Sequence, residues 1–113
     1  MIRESFATVN IAQCTPGDDW RVPIPLAGAV WLADDTARMH VRATPESPVV
    51  VIDLTTANGR IALNAGEILL TVPAITTATV APGAYVWDME ITRAGIVETI
   101  IGGTLAVRRD VTR

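Results

Sequence analysis

The stretch from Val80 to Ile91, VAPGAYVWDMEI, decides the fold of this 113-residue chain. Apart from Val86, polar and apolar side chains alternate from Tyr85 onward, and a period of two is typical of a β-strand with one buried face. The apolar face carries two aromatic and two other large side chains, at Tyr85, Trp87, Met89 and Ile91. Because Asp88 and Glu90 fall on the other face, we predict a strand with its apolar face in the core and its acidic face in water.

Similar short runs rich in valine, isoleucine and threonine recur along the chain between glycines and prolines, which indicates an all-β protein. In the run Trp20–Leu26, Pro23 and Pro25 remove N–H groups on one side of the strand, so we predict an edge strand there. A further strand is predicted from Thr36 to Ala43. Another is predicted from Val49 to Leu54, whose apolar residues lie on both faces and which we expect to be covered on both sides.

Turn signals divide these runs. Asn58-Gly59 is the strongest of them, and Arg93-Ala94-Gly95 predicts a hairpin. The pair Gly102-Gly103 suggests a β-bulge. Between Pro73 and Ala81 the pattern leaves two possibilities open, one short helical turn near 74–80 or a crossing loop.

The stretch around Tyr85 resembles the corner and strand of immunoglobulin-like sandwiches, in which a tyrosine opens a central strand and its hydroxyl holds the preceding loop. The predicted fold class is therefore all-β, an immunoglobulin-like two-layer antiparallel β-sandwich of about seven to nine strands. The likeness is local, because the paired cysteines of antibody domains are absent. We predict one domain over residues 1–113, since no linker or repeat divides the chain.

Composition excludes several classes of function. The formal net charge of −3 argues against nucleic acid, whose binding needs a basic surface. A single cysteine, Cys14, and a single histidine, His40, are too few for a disulfide framework or a zinc site, and no glycine-rich phosphate loop is present. The sequence has no long apolar run and no signal peptide, so we expect no membrane insertion. We predict no metal and no cofactor.

The sequence offers little for catalysis. His40 is the only candidate base, and it shares its strand face with Arg38 and Arg42. The carboxylates Asp88 and Glu90 could in principle act together, but we expect them to lie opposite Arg38 and Arg42 as cross-strand charge pairs. We therefore predict no enzyme and assign His40 to the solvated face of its strand.

Three smaller features have ordinary structural explanations. The acidic pairs Asp18-Asp19 and Asp34-Asp35 suit turns and lack the further ligands that calcium needs. Cys14 has no basic neighbour to lower its pKa and is predicted to be a small, half-buried filler.

Apolar side chains are the feature that remains unexplained. Half of the residues are hydrophobic, and several strands keep apolar residues where one face should meet water. We infer that part of this surface is buried against other chains. The alternative is that loops and the segment around Trp31 cover it within the monomer. The candidate interface residues are Trp31, Val50, Ile52, Leu69 and Ile100.

Three stretches resemble small virion proteins of tailed bacteriophages and prophages. They are Asp34–Arg42 (DDTARMHVR), Ile52–Ile61 (IDLTTANGRI), and the stretch that runs from Gly83 (GAYVWDMEI) through Gly103-Thr104 to Val111-Thr112-Arg113. A more distant likeness is to the N-terminal β-sandwich of phage upper-baseplate proteins. The resemblance implies a structural protein of the virion, near the tail, baseplate or fibre attachment. It would pack with itself and with neighbouring virion proteins, as an adaptor made in the bacterial host cytoplasm.

Two other functions stay open. A carbohydrate-binding module for a host surface glycan would use Trp20, Trp31 and Trp87 as stacking platforms, and it requires tryptophans on one open face. Burial of Trp20 and Trp87 in the core would argue against it. A capsid decoration protein cannot be told apart from a tail protein by sequence.

Overall fold

The computed structural model describes residues 7–109, with nine strands and one short helix. The elements are β1 (Ala7–Thr8), β2 (Ile11–Cys14), β3 (Trp20–Pro25), β4 (Thr36–Arg42), β5 (Ile52–Thr55), β6 (Ile61–Asn64), β7 (Glu67–Val72), α1 (Ala74–Thr77), β8 (Gly83–Arg93) and β9 (Ile96–Val107). The N-terminal residues and the closing Val111-Thr112-Arg113 used in the sequence analysis lie outside the described residues.

Two sheets form the sandwich. The larger sheet has the order β1-β9-β8-β4-β5, with β2 also paired to β9, and the smaller sheet has the order β3-β7-β6. This is the immunoglobulin arrangement of a GFC-type sheet packed on a BED-type sheet, so the predicted fold class is confirmed. The structure differs from the predicted antiparallel sandwich at one place, because β1 and β2 run parallel to β9. The other described strand pairs are antiparallel as predicted.

The core lies between the sheets and follows the predicted alternation. In β8, Trp87, Met89 and Ile91 are buried, and in β4 the inward residues Ala37, Met39 and Val41 are buried as well. The smaller sheet covers them with the inward side chains of its own strands, Trp20, Ile24, Ile61, Ile68, Leu70 and Val72. A period of two with one apolar face is enough to fix which side of each strand faces the core.

The corner at Tyr85 is present as predicted. The Tyr85 hydroxyl donates to the Ala81 carbonyl, four residues upstream. Between β7 and β8, the helical alternative is confirmed, because α1 forms one turn after Pro73. The side chain of Thr77 at the end of α1 is fully buried, and its hydroxyl accepts from the Gly17 N–H at 3.0 Å.

β3 is an edge strand, as its prolines predict, since its one partner in the described sheet is β7. Its pairing continues through Pro23 and Pro25, and the next residue, Leu26, donates its N–H to the Gly66 carbonyl beside β7. The two proline nitrogens therefore face away from β7, and the free edge lacks two donors that an added strand would need.

The prediction for Val49–Leu54 is wrong. The strand begins only at Ile52, and as an edge strand of the larger sheet it is covered on its inner face alone: Ile52 and Leu54 are buried and Asp53 is exposed. Asn58 closes the free edge of β5, because its side-chain amide accepts from the Thr55 N–H and donates to the Asp53 carbonyl, both at 3.1 Å.

The predicted bulge exists but lies at Ile100 rather than at Gly102-Gly103. Met89 pairs with Ile101 and Glu90 with Thr99, so Ile100 is the extra residue of β9. Gly103 is needed for a different reason, because a Cβ at this position would lie 1.8 Å from the Val9 carbonyl oxygen. Glycine thus allows the link between β1 and β2 to pass directly over β9.

Candidate interaction surface

The five predicted interface residues do not form one surface. Ile52 and Ile100 are 2% and 4% exposed, so both are corrected to core residues of this chain. Ile52 points inward from β5, and the bulge turns the side chains of Ile100 and Ile101 inward in succession. Trp31, Val50 and Leu69 are half-buried and remain at the surface, but they lie on different parts of the molecule.

A group of more exposed apolar side chains lies at one end of the sandwich, which we call the loop end. It is formed by loop 26–35 and by the hairpin that joins β8 to β9. Val30 and Leu32 in the loop are 74% and 55% exposed, and Ile96 in the hairpin is 64% exposed. Ile96 pairs with Arg93 across the hairpin, so both side chains leave the same face of it.

An ion pair fixes the loop against the hairpin. Arg93 Nε and Nη2 donate to the two carboxylate oxygens of Asp35 at 2.9 and 2.6 Å, and Nη2 also donates to the Val30 carbonyl at 3.1 Å. The second Asp35 oxygen accepts from the Leu32 N–H at 2.7 Å. The Asp35 side chain is 1% exposed, so this two-pronged pair is sheltered from water on the carboxylate side.

The electrostatics of this pair follow from its geometry. The hydrogen bonds from Arg93, assisted by the Leu32 N–H, lower the pKa of the Asp35 carboxyl although burial opposes them. The same contacts raise the pKa of the Arg93 guanidinium. Both groups are therefore charged at neutral pH, and the loop carrying Val30 and Leu32 is held in one position.

Two hollows flank Arg93. The larger is a cleft of about 570 Å³ between loop 25–31, which includes Trp31, and the bulge at Ile100 and Ile101. The smaller, of about 210 Å³, lies on the hairpin side beside Ile96. Trp31 forms part of the cleft wall and is fixed by its indole N–H, which donates to the Asn64 carbonyl at 2.7 Å. The loop end thus combines apolar side chains, a cleft and a loop that is hydrogen-bonded to Arg93 of the hairpin.

One of the two predicted cross-strand charge pairs is present. Arg38 lies opposite Glu90, and their Nη2 and Oε1 atoms are 3.0 Å apart, as predicted. Arg42 lies opposite Val86 instead, donates to the Ser47 carbonyl, and makes no described ion pair with Asp88. The register places Asp88 opposite His40, two residues before Arg42 along β4.

His40 lies on the outer face of the larger sheet as predicted, and its carboxylate neighbour is Asp53 of β5. Its Nε2 atom is 3.2 Å from Asp53 Oδ1 on β5, and its Nδ1 atom is 3.3 Å from Arg42 Nη2. Neither of the two hollows beside Arg93 is lined by His40 or Asp53. Within residues 7–109, no group of three or more histidine, cysteine or acidic side chains is placed to hold a metal ion.

The remaining predicted features fall into two groups. Trp20 and Trp87 are 6% and 4% exposed in the core, so neither offers a stacking face to a sugar. Cys14 is buried, at 6% exposed, rather than half-buried, and burial raises the pKa of its thiol. Asp34 is an exposed turn residue, whereas its neighbour Asp35 makes the ion pair that local sequence did not indicate.

The described part of the chain contains no helix with the length and apolar character needed to cross a membrane. Comparison with protein-family models and with curated proteins found no match to this chain.

Proposed function

We propose that the chain is a structural, non-catalytic component of a tailed-phage or prophage particle that binds a neighbouring virion protein through its loop end. The observation that carries the binding role is the group Val30, Leu32 and Ile96, held in place by the ion pair between Arg93 and Asp35. The sequence resemblance to small virion proteins of tailed phages supports the virion setting and implies the tail, baseplate or fibre-attachment region.

The loop end has the properties of a protein-binding surface. In the free protein, more than half of each of these large apolar side chains is exposed to water, and exposed apolar patches of this kind mark interaction sites. Covering the exposed parts of these three side chains would contribute about 3 to 6 kcal/mol, before the cost of association is subtracted. One such contact is weak by itself. Repetition of the same contact around a particle would convert it into firm attachment.

The charges of the loop end suit binding rather than proton transfer. The pKa of Asp35 is lowered and that of Arg93 is raised, so neither group exchanges protons near neutral pH. Their role in the proposal is to position the apolar loop. The glycan-binding alternative loses two of its three stacking platforms, because Trp20 and Trp87 lie in the core.

The test uses two matched double variants of the full chain. Val30→Asp/Ile96→Asp places charges on the loop end, and Val49→Asp/Ile75→Asp places charges near the opposite end on two apolar residues that are also more than half exposed, at 62% and 82%. Affinity for purified proteins from the adjacent tail genes is measured by calorimetry, and antibody labelling locates the chain on particles. We expect the loop-end variant to bind roughly thirtyfold or more weakly and the control variant to bind normally.

Equal binding by both variants would refute the role of the loop end. Particles that carry no antibody label would refute the virion setting, and label on the capsid alone would favour the decoration protein. A stoichiometric complex with a purified host glycan, lost in Trp31→Ala, would favour the carbohydrate-binding module instead.

A further inference from the structure

The outer face of the smaller sheet is a second surface that the proposed function does not use. We call it the small-sheet face. Its eight strand residues lie in three rows that cross the sheet. The first row holds Arg21 and Thr71, the middle row Pro23, Leu69 and Ala62, and the third row Pro25, Glu67 and Asn64.

The middle row is apolar across all three strands. Pro23 and Ala62 are exposed, and Leu69 between them is half-buried. The inward neighbours Ile68 and Leu70 are fully covered by the core, so the alternation leaves Leu69 on the outside with no described element over it. The outer face of the larger sheet is different, since it carries the pairs Arg38 with Glu90 and His40 with Asp53.

Association through the edge of this sheet is disfavoured on the β3 side. Pro23 and Pro25 withhold two N–H groups from any strand that approaches β3. The same prolines fill the outer face with short, rigid apolar rings. The sheet is therefore better suited to face-to-face packing than to extension by another strand.

We propose that the small-sheet face packs against the same face of a second copy of this chain. The charges select one arrangement. Arg21 lies at one end of the face and Glu67 at the other, separated along the strands by the apolar row. Consider a twofold axis that lies in the plane of the face and runs across the strands. It stacks Leu69 on Leu69 and brings each Arg21 beside Glu67 of the second copy. An axis parallel to the strands would place Glu67 on Glu67, which is repulsive.

The size of the face predicts a weak contact. Three strands about 4.8 Å apart and five residues at about 3.4 Å each cover roughly 240 Å² per copy, against about 800 Å² in a stable complex. The dimer should therefore form only at high concentration or where copies are already held side by side. The inference goes beyond the proposed function, because it uses neither the loop end nor the virion setting.

The first experiment measures solution mass by sedimentation from micromolar to millimolar concentration. We expect a monomer that shifts toward a dimer at the upper end of the range. Leu69→Glu and Ala62→Glu should each remain monomeric. Ala106→Glu, an exposed apolar residue on the outer face of the larger sheet, is the matched control and should dimerise normally.

The second experiment tests the arrangement by charge reversal. Arg21→Glu and Glu67→Arg should each weaken the dimer roughly tenfold, because two pairs per dimer change from attraction to repulsion. The double variant should recover the wild-type dissociation constant. Failure of this recovery would refute the proposed twofold arrangement, whatever the single variants do.

The outcomes separate this inference from the proposed function. A monomer at every concentration, or a dimer that survives both Leu69→Glu and Ala62→Glu, would refute the second copy as the occupant. If the chain stays monomeric while Leu69→Glu abolishes its incorporation into particles, the face binds a different protein and the inference is wrong. Val30→Asp/Ile96→Asp should dimerise like the wild type even where it loses its virion partner.

Discussion

The two ends of the sandwich are closed by different chemistry. At the loop end, the ion pair between Arg93 and Asp35 joins a loop to a hairpin and leaves Val30 and Ile96 exposed. At the opposite end, which we call the corner end, hydroxyl groups bind backbone: Tyr85 donates to Ala81, and buried Thr77 joins α1 to the loop before β3. At the loop end an ion pair supports an exposed apolar surface, whereas at the corner end neutral hydroxyl groups bind the backbone.

This difference has a physical cause. A charged pair can remain at the surface and still orient a loop, because both groups keep some contact with water or with backbone donors. A buried hydroxyl has no such contact, so every partner must come from the protein. Thr77 is therefore part of the interior at the corner end, whereas the pair of Arg93 and Asp35 lies at the edge of an exposed surface.

The largest effect should follow removal of the carboxylate at the loop end. Asp35→Ala removes the acceptor shared by Arg93 and the Leu32 N–H, and leaves Arg93 with the Val30 carbonyl alone. Because charge-assisted hydrogen bonds are lost and a backbone N–H is left unpaired, we expect it to lower the free energy of unfolding by about 3 kcal/mol. Urea unfolding measures the change. The control is Asp34→Ala at the exposed neighbour, which should cost less than about 0.5 kcal/mol. Equal costs at the two positions would mean that the ion pair does not stabilise the fold.

The same carboxylate predicts a dependence on pH. Folding lowers the pKa of Asp35 below its ordinary value of 3.8, so the pair's contribution is complete above that pH. It is lost as the pH falls through the lower pKa of the folded state. The difference in unfolding free energy between wild type and Asp35→Ala should therefore be constant near neutral pH and shrink in acid below the ordinary value. A difference that grows in acid would contradict the assignment.

At the corner end, the largest effect should come from Thr77→Val. The hydroxyl accepts from the Gly17 N–H at 3.0 Å and donates to the Asp18 carbonyl at 2.6 Å. Valine keeps the shape but leaves both backbone groups unpaired, so we expect a loss of about 2 kcal/mol, measured by thermal unfolding. Thr36→Val, at an exposed strand position, should be nearly neutral. An equally small effect at Thr77 would show that water replaces the hydroxyl.

Tyr85→Phe removes only the hydroxyl of the corner and keeps the ring. We expect a loss of about 1 kcal/mol in the free energy of unfolding, because one hydrogen bond is removed and the Ala81 carbonyl lies near the surface. Chemical denaturation measures it. No loss would mean that the ring alone, and not its hydrogen bond, holds the corner.

The corner end could be predicted from the sequence more fully than the loop end. Tyr85 and the alternation after it are local signals, and the prolines of β3 indicate an edge without knowledge of any partner. A strand with one apolar face must turn that face to the core. Such features are fixed by a few neighbouring residues, so the sheets and most strand bounds follow from them.

The loop end depends on register and on distant residues. Asp35 and Arg93 lie 58 positions apart, and nothing near either residue marks it as one half of a pair. Arg42 and Asp88 fail for a simpler reason: Arg38 and Arg42 are four residues apart and Asp88 and Glu90 only two, so the register that pairs Arg38 with Glu90 places Val86 opposite Arg42. The bulge at Ile100 also arises from the pairing of two strands, so Ile100, which was predicted as an interface residue, is buried together with Ile101.

The smallest predicted effect concerns strain at the tip of the loop-end hairpin. Ala94 has a φ of 52°, and with Gly95 at 79° it forms a two-residue turn in which both residues occupy the left-handed region. Alanine adopts this region at a cost, whereas asparagine tolerates it and Asn-Gly is the preferred pair for such a turn. Ala94→Asn should therefore raise the free energy of unfolding by about 0.5 to 1 kcal/mol, measured by urea unfolding.

The neighbouring ion pair makes this prediction sharper. Ala94 follows Arg93 directly, so relief of strain at the turn should stabilise the hairpin without moving the guanidinium. We expect the gain from Ala94→Asn to add to the loss from Asp35→Ala, because the turn and the carboxylate share no hydrogen bond. If the gain disappears in the Asp35→Ala background, the ion pair itself imposes the strained turn. The loop end would then hold its exposed apolar surface by transmitting that strain.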